Sequence, residues 1–321
     1  MREPWFRKVV RRLLIRTQRR RILLIISLFL IAFFSFKGIP VTSWGPSSNY
    51  ENYSVRTTVN VTNAYPEILN ITCNNNNPIV LSAGTTKTIL CLVEIRDYNG
   101  GNTINYVNGT FYYYLNESSD PDDNNVHYTN TSCTENSTNG YYTNWTCAFS
   151  VWYYANNGTW EANITVKDDY NLTAKDYTTV TIDPLYALNV TPVIDFGNRA
   201  VGDTTPPIPA NITNFGNMDI NVSVYGFGGN NEVTGAGLAM ICEVRNITLP
   251  NERYDLSSAT PYDSMTPITG AATHITGLTI PQQTNDSKPE INTTYWRLHI
   301  NITTNPFGVC NGTVVFSTEV P

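Results

Sequence analysis

Short runs of alternating apolar and polar residues fill the chain after about residue 60, and they predict an all-β protein. Clusters of Asn, Gly, Asp and Pro separate the runs, as in β-sandwiches. The run Lys87–Ile95 is apolar on both sides and predicts a central strand. The predicted strands are 68–73, 87–96, 107–115, 126–134, 142–154, 160–167 and 177–182, then 187–196, 210–213, 219–225, 238–249, 272–280, 293–304 and 309–318.

The start of the chain has a different pattern, in which a basic segment precedes the apolar run Ile22–Phe36. Residues 1–37 have a net charge of +9 and the remainder −15. Such a basic excess keeps its side of a membrane in the cytoplasm. A helix over the run spans ~22 Å, and residues 37–41 lengthen it toward the ~30 Å of a bilayer core. We expect a retained signal anchor over residues 22–42; a signal peptide cleaved near residue 42 is the alternative.

The rest of the chain is rich in Asn-x-Ser/Thr triplets, which are acceptors for N-glycans in exported proteins. In four Asn-Ile-Thr triplets, strand alternation turns Asn and Thr outward and Ile inward. A polar outer sheet face would produce the same pattern without sugar. The 19 candidate acceptors are Asn52, Asn60, Asn70, Asn108, Asn116, Asn130, Asn136, Asn144, Asn157, Asn163, Asn171, Asn189, Asn211, Asn221, Asn246, Asn285, Asn292, Asn301 and Asn311.

Six cysteines in an exported chain predict three disulfides. No Cys-x-x-Cys or paired Cys/His spacing indicates a metal site. Two of the cysteines stand alone in the second half and are paired with each other. The six are Cys73, Cys91, Cys133, Cys147, Cys242 and Cys310.

The four cysteines of the first half permit three connectivities. An Asn-Gly hairpin with a three-residue loop at 139–141 places Cys133 opposite Cys147. Cys73 then pairs with Cys91, and this local pairing is favoured on geometry. The rival joins Cys91 to Cys147 across the core and Cys73 to Cys133.

Two segments carry a family resemblance. Gly158–Asp168 resembles the penultimate strand of immunoglobulin-like and polycystic-kidney-disease-type repeats, although it lacks the cysteine of antibody domains. Val193–Gly197, with 201–203 and 212–217, resembles the opening of another immunoglobulin-like family found in envelope proteins. The composition is similar to that of secreted archaeal surface proteins with an amino-terminal anchor. The resemblance implies two tandem immunoglobulin-like β-sandwiches after one signal-anchor helix.

The expected organisation has its main boundary at Asp183-Pro184. It comprises a cytoplasmic segment (1–21), the anchor or signal peptide (22–42), a stalk with a candidate donor strand (43–63), and sandwiches over 64–184 and 185–321.

Residues 57–63 repeat the pattern of residues 178–184, the closing strand of the first predicted sandwich. One interpretation is an early strand of that sandwich or the relic of a lost repeat. The other is a strand donated to the open sheet edge of a neighbouring subunit, which would build a filament if repeated.

The chain shows no catalytic constellation, so we expect no enzyme and no cofactor. The acidic loop 117–125 begins like a calcium-binding loop, but Asn125 and Thr131 replace the residues required there. A solvated turn is favoured over a metal site. The acidic ectodomain argues against nucleic acid as a partner. Aromatic clusters at 112–114, 141–142 and 152–154 are interpreted mainly as core, with a binding face as the alternative.

These features predict a non-enzymatic envelope glycoprotein in the cell membrane, with its C-terminal domains outside the cell, or secreted to the surface if cleaved. Its expected partners are the membrane, N-glycans, and copies of itself or other envelope proteins. We expect a structural, self-assembling role in a filament, surface layer or cell contact. The alternative is a tethered adhesin or receptor that binds a glycan or protein.

Overall fold

The computed structural model describes residues 54–320. The predicted signal anchor and the acceptor Asn52 lie outside the described residues. Among residues 54–320, no helix has both the length and the apolar character that a membrane crossing requires. The described chain is all-β and contains four antiparallel sheets, so the predicted fold class is confirmed at this level.

The first half forms a β-sandwich of two four-stranded sheets, with strand orders β1-β2-β6-β5 and β4-β3-β7-β8. Its strands are β1 (Glu67–Cys73), β2 (Thr86–Arg96), β3 (Ile104–Tyr113), β4 (His127–Asn130), β5 (Thr134–Asn139), β6 (Tyr142–Trp152), β7 (Gly158–Asp168) and β8 (Thr173–Ile182).

The second half forms two five-stranded sheets, with orders β15-β14-β17-β10-β9 and β13-β12-β18-β11-β16. Its elements are β9 (Leu188–Val190), β10 (Ile208–Asn214), β11 (Ile220–Gly228), helix α1 (Glu232–Gly235), β12 (Leu238–Val244), β13 (Ile247–Thr248), β14 (Glu252–Asp255), β15 (Thr266–Pro267), β16 (Thr273–Ile280), β17 (Ile291–Leu298) and β18 (Phe307–Glu319). Short 3₁₀ turns occur at Asn74–Asn76, Gly101–Thr103, Leu249–Asn251 and Tyr262–Ser264.

Each half has its own hydrophobic core. Trp160 is fully buried in the first and stacks on Phe111, with ring centroids 4.8 Å apart. Trp296 is fully buried in the second and packs on Tyr254 at 5.2 Å. Strand β7 illustrates how the sequence builds the first core. Its residues alternate between buried and partly exposed, which is the period of a strand with one face on the core. Core membership changes from the first to the second cluster after Leu185; the domain boundaries themselves stay predictions.

The hydrophobic pattern missed three strands, which are β5, β14 and the two-residue β15. All six residues of β5 are polar and exposed, so no apolar alternation marks it. It is a strand because the hairpin turn after it brings β6 alongside, and the two pair in antiparallel fashion. β14 has only four residues and includes a buried glutamate. Strand β2 is central, as predicted, but only one face is buried: Leu90 and Leu92 are 48% and 45% exposed.

The hairpin between β5 and β6 differs from its prediction. Asn139 pairs with Tyr142, so the loop has two residues and not the predicted three. Gly140 has φ +62°, which suits glycine in such a tight turn. A bulge between Glu135 and Ser137 then adds the extra residue. The expected facing of Cys133 and Cys147 is therefore reached by a bulge and not by a longer loop.

Side chains from both sandwiches meet in a polar and aromatic seam. The rings of Tyr153 and Phe215 are 5.4 Å apart. The buried Asn125 carboxamide donates to the carbonyl oxygens of Tyr154 at 2.9 Å and Gln283 at 2.8 Å. A Cβ at Gly84 would lie 2.7 Å from the Phe215 ring. The Gln282 carboxamide adds a further bond to the Tyr154 carbonyl oxygen at 2.6 Å. These contacts tie the two sandwiches together and satisfy polar groups that are buried between them.

Candidate glycan-bearing surface

The candidate acceptor asparagines share one structural property. Of the 18 that lie in the described residues, none belongs to the buried class. They occur on strands of all four sheets and on the loops between them. Because a glycan is bulky and polar, only an asparagine that reaches solvent can carry one. Burial therefore excludes none of the described candidate positions, of which nine are exposed and nine partly exposed.

The Asn-Ile-Thr triplets explain how the sequence achieves this. Ile71, Ile164 and Ile212 are 7%, 0% and 0% exposed, so strand alternation turns their flanking asparagines outward. The prediction is wrong for Ile302, which is 70% exposed. Residues 302–304 form a turn, closed by the Asn305 amide donating to the Asn301 carbonyl oxygen at 3.0 Å. The period of a strand does not apply there.

Several acceptors face a hydroxyl across a strand pair. Asn108 of β3 lies opposite Thr165 of β7, and Asn163 lies opposite Thr110. Two triplets are thus interleaved on one outer face. The carboxamide oxygen of Asn211 accepts from the Thr293 hydroxyl at 2.8 Å. These faces consist of amides and hydroxyls, which suit either a sugar or bulk water.

The three predicted disulfides are present. Cys73 pairs with Cys91 and Cys133 with Cys147, which is the local pairing that the hairpin geometry favours. The long-range bridge Cys242–Cys310 joins β12 to β18.

The four cysteines of the first half form one row across β1, β2, β6 and the start of β5. Cys91 lies directly opposite Cys147 in the register of β2 and β6, although the two are not bonded. All four are at most 5% exposed. In the rival connectivity only Cys91 and Cys147 lie on neighbouring strands; Cys73 and Cys133 lie at the two outer strands, β1 and β5, with β2 and β6 between them. The order of the strands therefore accounts for the local pairing.

The aromatic clusters divide between core and surface. The interpretation as core is right for Tyr112 and for Tyr153 and Tyr154, which are at most 6% exposed. It is wrong for Tyr114, which is 55% exposed, and for the pair Tyr141 and Tyr142, which are 54% and 45% exposed.

The exposed pair lies in a larger aromatic patch. The Tyr141 ring lies 6.0 Å from that of Tyr98, and the Arg96 guanidinium stands 4.9 Å over the Tyr98 ring. The Glu67 carboxylate, at 2.5 Å, is the main cause that raises the pKa of Arg96. This cluster was not predicted, because Tyr98 and Tyr141 are far apart in sequence. We call Arg96, Tyr98, Tyr141 and Tyr142 the tyrosine patch.

The acidic loop holds its carboxylates apart. Asp120 accepts the amide of Glu117 at 2.9 Å, and this bond is the main cause that lowers its pKa. Asp122 contacts the buried ring of His127 at 3.0 Å. Asp123 accepts the amide of Asn125 at 2.8 Å. No three acidic, histidine or cysteine side chains converge in metal-binding geometry within residues 54–320.

No family model matches this chain, and no curated protein matches it in sequence. Among solved structures it is similar to latent PorU of Porphyromonas gingivalis, at 13% identity over 84% of this chain and 21% of that one (TM-score 0.27). It is also similar to the CsuC–CsuE chaperone–tip adhesion subunit complex from Csu pili of Acinetobacter baumannii, at 12% identity over 79% and 92% (TM-score 0.35). A third is a carbohydrate-binding module of the β-sandwich superfamily, at 11% over 80% and 97% (TM-score 0.24).

The chain spans about a fifth of the length of PorU.

Proposed function

We propose that this chain is a non-enzymatic envelope glycoprotein with two immunoglobulin-like sandwiches, held at the cell surface by the segment over residues 22–42. Its role is structural: copies assemble with one another in a filament, surface layer or cell contact. The observation that carries the proposal is that none of the 18 described acceptor asparagines is buried, on a disulfide-bonded double sandwich. Disulfides and N-glycans both belong to exported chains.

The physical properties of the two sandwiches support a structural role. Three disulfides lower the entropy of the unfolded chain, each contributing ~2–4 kcal/mol to stability. The seam at Asn125 and Tyr153 joins the sandwiches through buried hydrogen bonds and ring contacts. Two disulfide-bonded sandwiches with polar outer faces suit a repeating unit.

The test is the mass of the full chain in mild detergent, purified with disulfides and glycans intact and measured by light scattering. A series of oligomers that grows with concentration is expected. A single monomer mass at every concentration would contradict self-assembly. Mass spectrometry of tryptic peptides gives the second readout: absence of Asn-linked sugar on native material would refute the glycoprotein assignment.

The tyrosine patch favours a second candidate, a tethered adhesin. Exposed tyrosine rings beside an arginine suit stacking on a sugar ring or contact with a protein. For this role the chain would be a monomer, and Tyr98→Ala would abolish saturable binding to a glycan array or to cells. Tyr170→Ala is the matched control, because Tyr170 is 65% exposed but is not part of the patch.

A further inference from the structure

The second sandwich has an incomplete sheet edge. Strand β18 pairs with β12 through residues 307–311 and with β11 through residues 312–319, on opposite sides. Along 313–319 the side away from β11 therefore has no strand partner among residues 54–320. No other backbone hydrogen bond reaches these residues within that part of the chain. An unpaired edge of this length is a template for an added strand.

The core beneath this edge is only partly covered. Val314 and Phe316 of β18 pack on the second core but remain partly exposed, as do Leu188, Val190 and Ile194 across the opening. A groove of about 1120 Å³ lies at the preceding part of β18, which pairs with β12, and is lined mainly by residues 193–201 and 306–312. Phe307 and Val309 at its rim are each 72% exposed. We call the unpaired edge along residues 313–319, together with the partly exposed core side chains beneath it, the slot.

One segment of the described chain has the complementary form. Residues 54–66 belong to no strand, so the interpretation of residues 57–63 as an early strand of the first sandwich is wrong. Val55, Val59 and Val61 are 84%, 85% and 82% exposed. Their odd positions place them on one face of an extended strand, with polar residues on the other. Residues 55–61 match the seven unpaired residues of β18 in length.

The segment cannot reach the slot of its own chain. Asn63 donates to Asp168 at 2.5 Å and the Ala64 amide donates to Asn99 at 2.6 Å, which fixes the chain at the end of the first sandwich where β2 ends. The seam lies at the other end of β2, an 11-residue strand that spans ~36 Å. The two residues from Val61 to Asn63 cover only ~7 Å.

We propose, building on the proposed self-assembly, that residues 55–61 of one copy insert into the slot of a second copy. The segment completes the sheet beside residues 313–319 of β18, and its valines cover the open core. Approach from the free end of the second sandwich makes the inserted strand antiparallel to β18. This direction puts Arg56 beside Glu319, whose carboxylate is 42% exposed. Donor and slot lie on different sandwiches, so repetition gives a head-to-tail filament.

The first test changes one residue on each face of the segment in the full chain. Val59→Asp puts a charge on the inserted face and is expected to weaken self-association, measured by light scattering, by at least about tenfold. Thr58→Asp is the matched control on the outward face and should assemble like the wild type. Both residues are exposed, so neither change affects folding. Assembly of the Val59→Asp chain at wild-type concentrations would overturn the proposal while leaving self-assembly intact.

The second test does not depend on assembly. A labelled peptide of residues 53–63 is added to the full-length Val59→Asp chain, whose slot is empty by design. We expect saturable binding and slower hydrogen exchange of the amides of residues 313–319. The peptide with Val59→Asp should not bind. Failure of the wild-type peptide to bind, or protection elsewhere but not at 313–319, would refute the slot even if the wild-type chain forms oligomers.

Discussion

The buried carboxyl group of Glu252 predicts that the second sandwich becomes less stable as the pH rises. Glu252 is 3% exposed and lies on the core face of β14, together with Tyr254 and opposite Leu298 of β17. Burial raises the pKa of Glu252 from 4.5 to about 8, because the charged form loses its hydration. In the unfolded chain the same group ionises near its ordinary pKa.

The sign follows from counting protons. Between pH 4.5 and about 8, the folded chain keeps the Glu252 proton and the unfolded chain has lost it. The free energy of unfolding therefore falls by ~1.4 kcal/mol per pH unit in this interval. This contribution is fully present below the unfolded pKa and is lost as the pH approaches the folded pKa. The total is ~5 kcal/mol, a large part of the stability of an ordinary domain.

The assay is urea unfolding at pH 5, 6, 7 and 8, followed by tryptophan fluorescence, since Trp296 lies 5.2 Å from the Tyr254 ring in this core. Glu252→Gln keeps the side-chain shape and removes the titration. The variant should gain stability over the wild type by ~1.4 kcal/mol with each pH unit. Exposed Glu94→Gln is the control and should follow the wild type. Parallel profiles for the wild type and Glu252→Gln would refute the reasoning.

Three further predictions concern the frame that holds the surfaces. Ile164→Ala should lower the free energy of unfolding by ~2–5 kcal/mol, whereas Ile302→Ala, at a 70% exposed residue, should change the urea midpoint little. Asn125→Ala leaves the buried Gln283 carbonyl group without its donor and removes one of the two donors to the Tyr154 carbonyl group, so calorimetry should show a loss of ~1–3 kcal/mol and separate transitions for the two sandwiches. Serine at both Cys242 and Cys310 opens a 68-residue loop, and denaturant titration should show a loss of ~4 kcal/mol.

Alternation along the sequence predicted most strands, because each sandwich buries one face of each sheet. It failed where burial did not decide the conformation. The polar strand β5 forms because of the hairpin turn that follows it. The prediction placed the extra residue of this hairpin in the loop, whereas it lies in a bulge between Glu135 and Ser137. The predicted run 187–196 is a strand only over Leu188–Val190, since residues 193–201 leave the sheet.

The candidate surfaces were predictable to different degrees. The acceptor asparagines follow from a local triplet, so the sequence alone identifies them. The tyrosine patch requires Tyr98 and Tyr141 to meet, and a loop and a hairpin tip bring them together only in the folded sandwich. The slot depends on the order of strands around β18, which no local pattern contains. Residues 55–61 could be recognised from their alternation, but their acceptor could not.

Strand insertion and glycosylation at the same edge are compatible, because alternation separates the two. Asn189 lies between Leu188 and Val190, which contact the core, so its carboxamide points away from the slot. Asn311 lies three residues before the inward-facing Val314 on β18, so its side chain is on the opposite, outer face of the sheet, and it is exposed. Asn60 of the donor segment lies on the face opposite its valines. Sugars at Asn311 and Asn60 would therefore line the outside of the completed sheet, and a sugar at Asn189 the outside of the facing sheet, which leaves the core face between them free. Enzymatic removal of N-glycans from assembled material is thus expected to leave the number of subunits per oligomer unchanged, as measured by light scattering. Dissociation of the oligomers on deglycosylation would contradict this geometry.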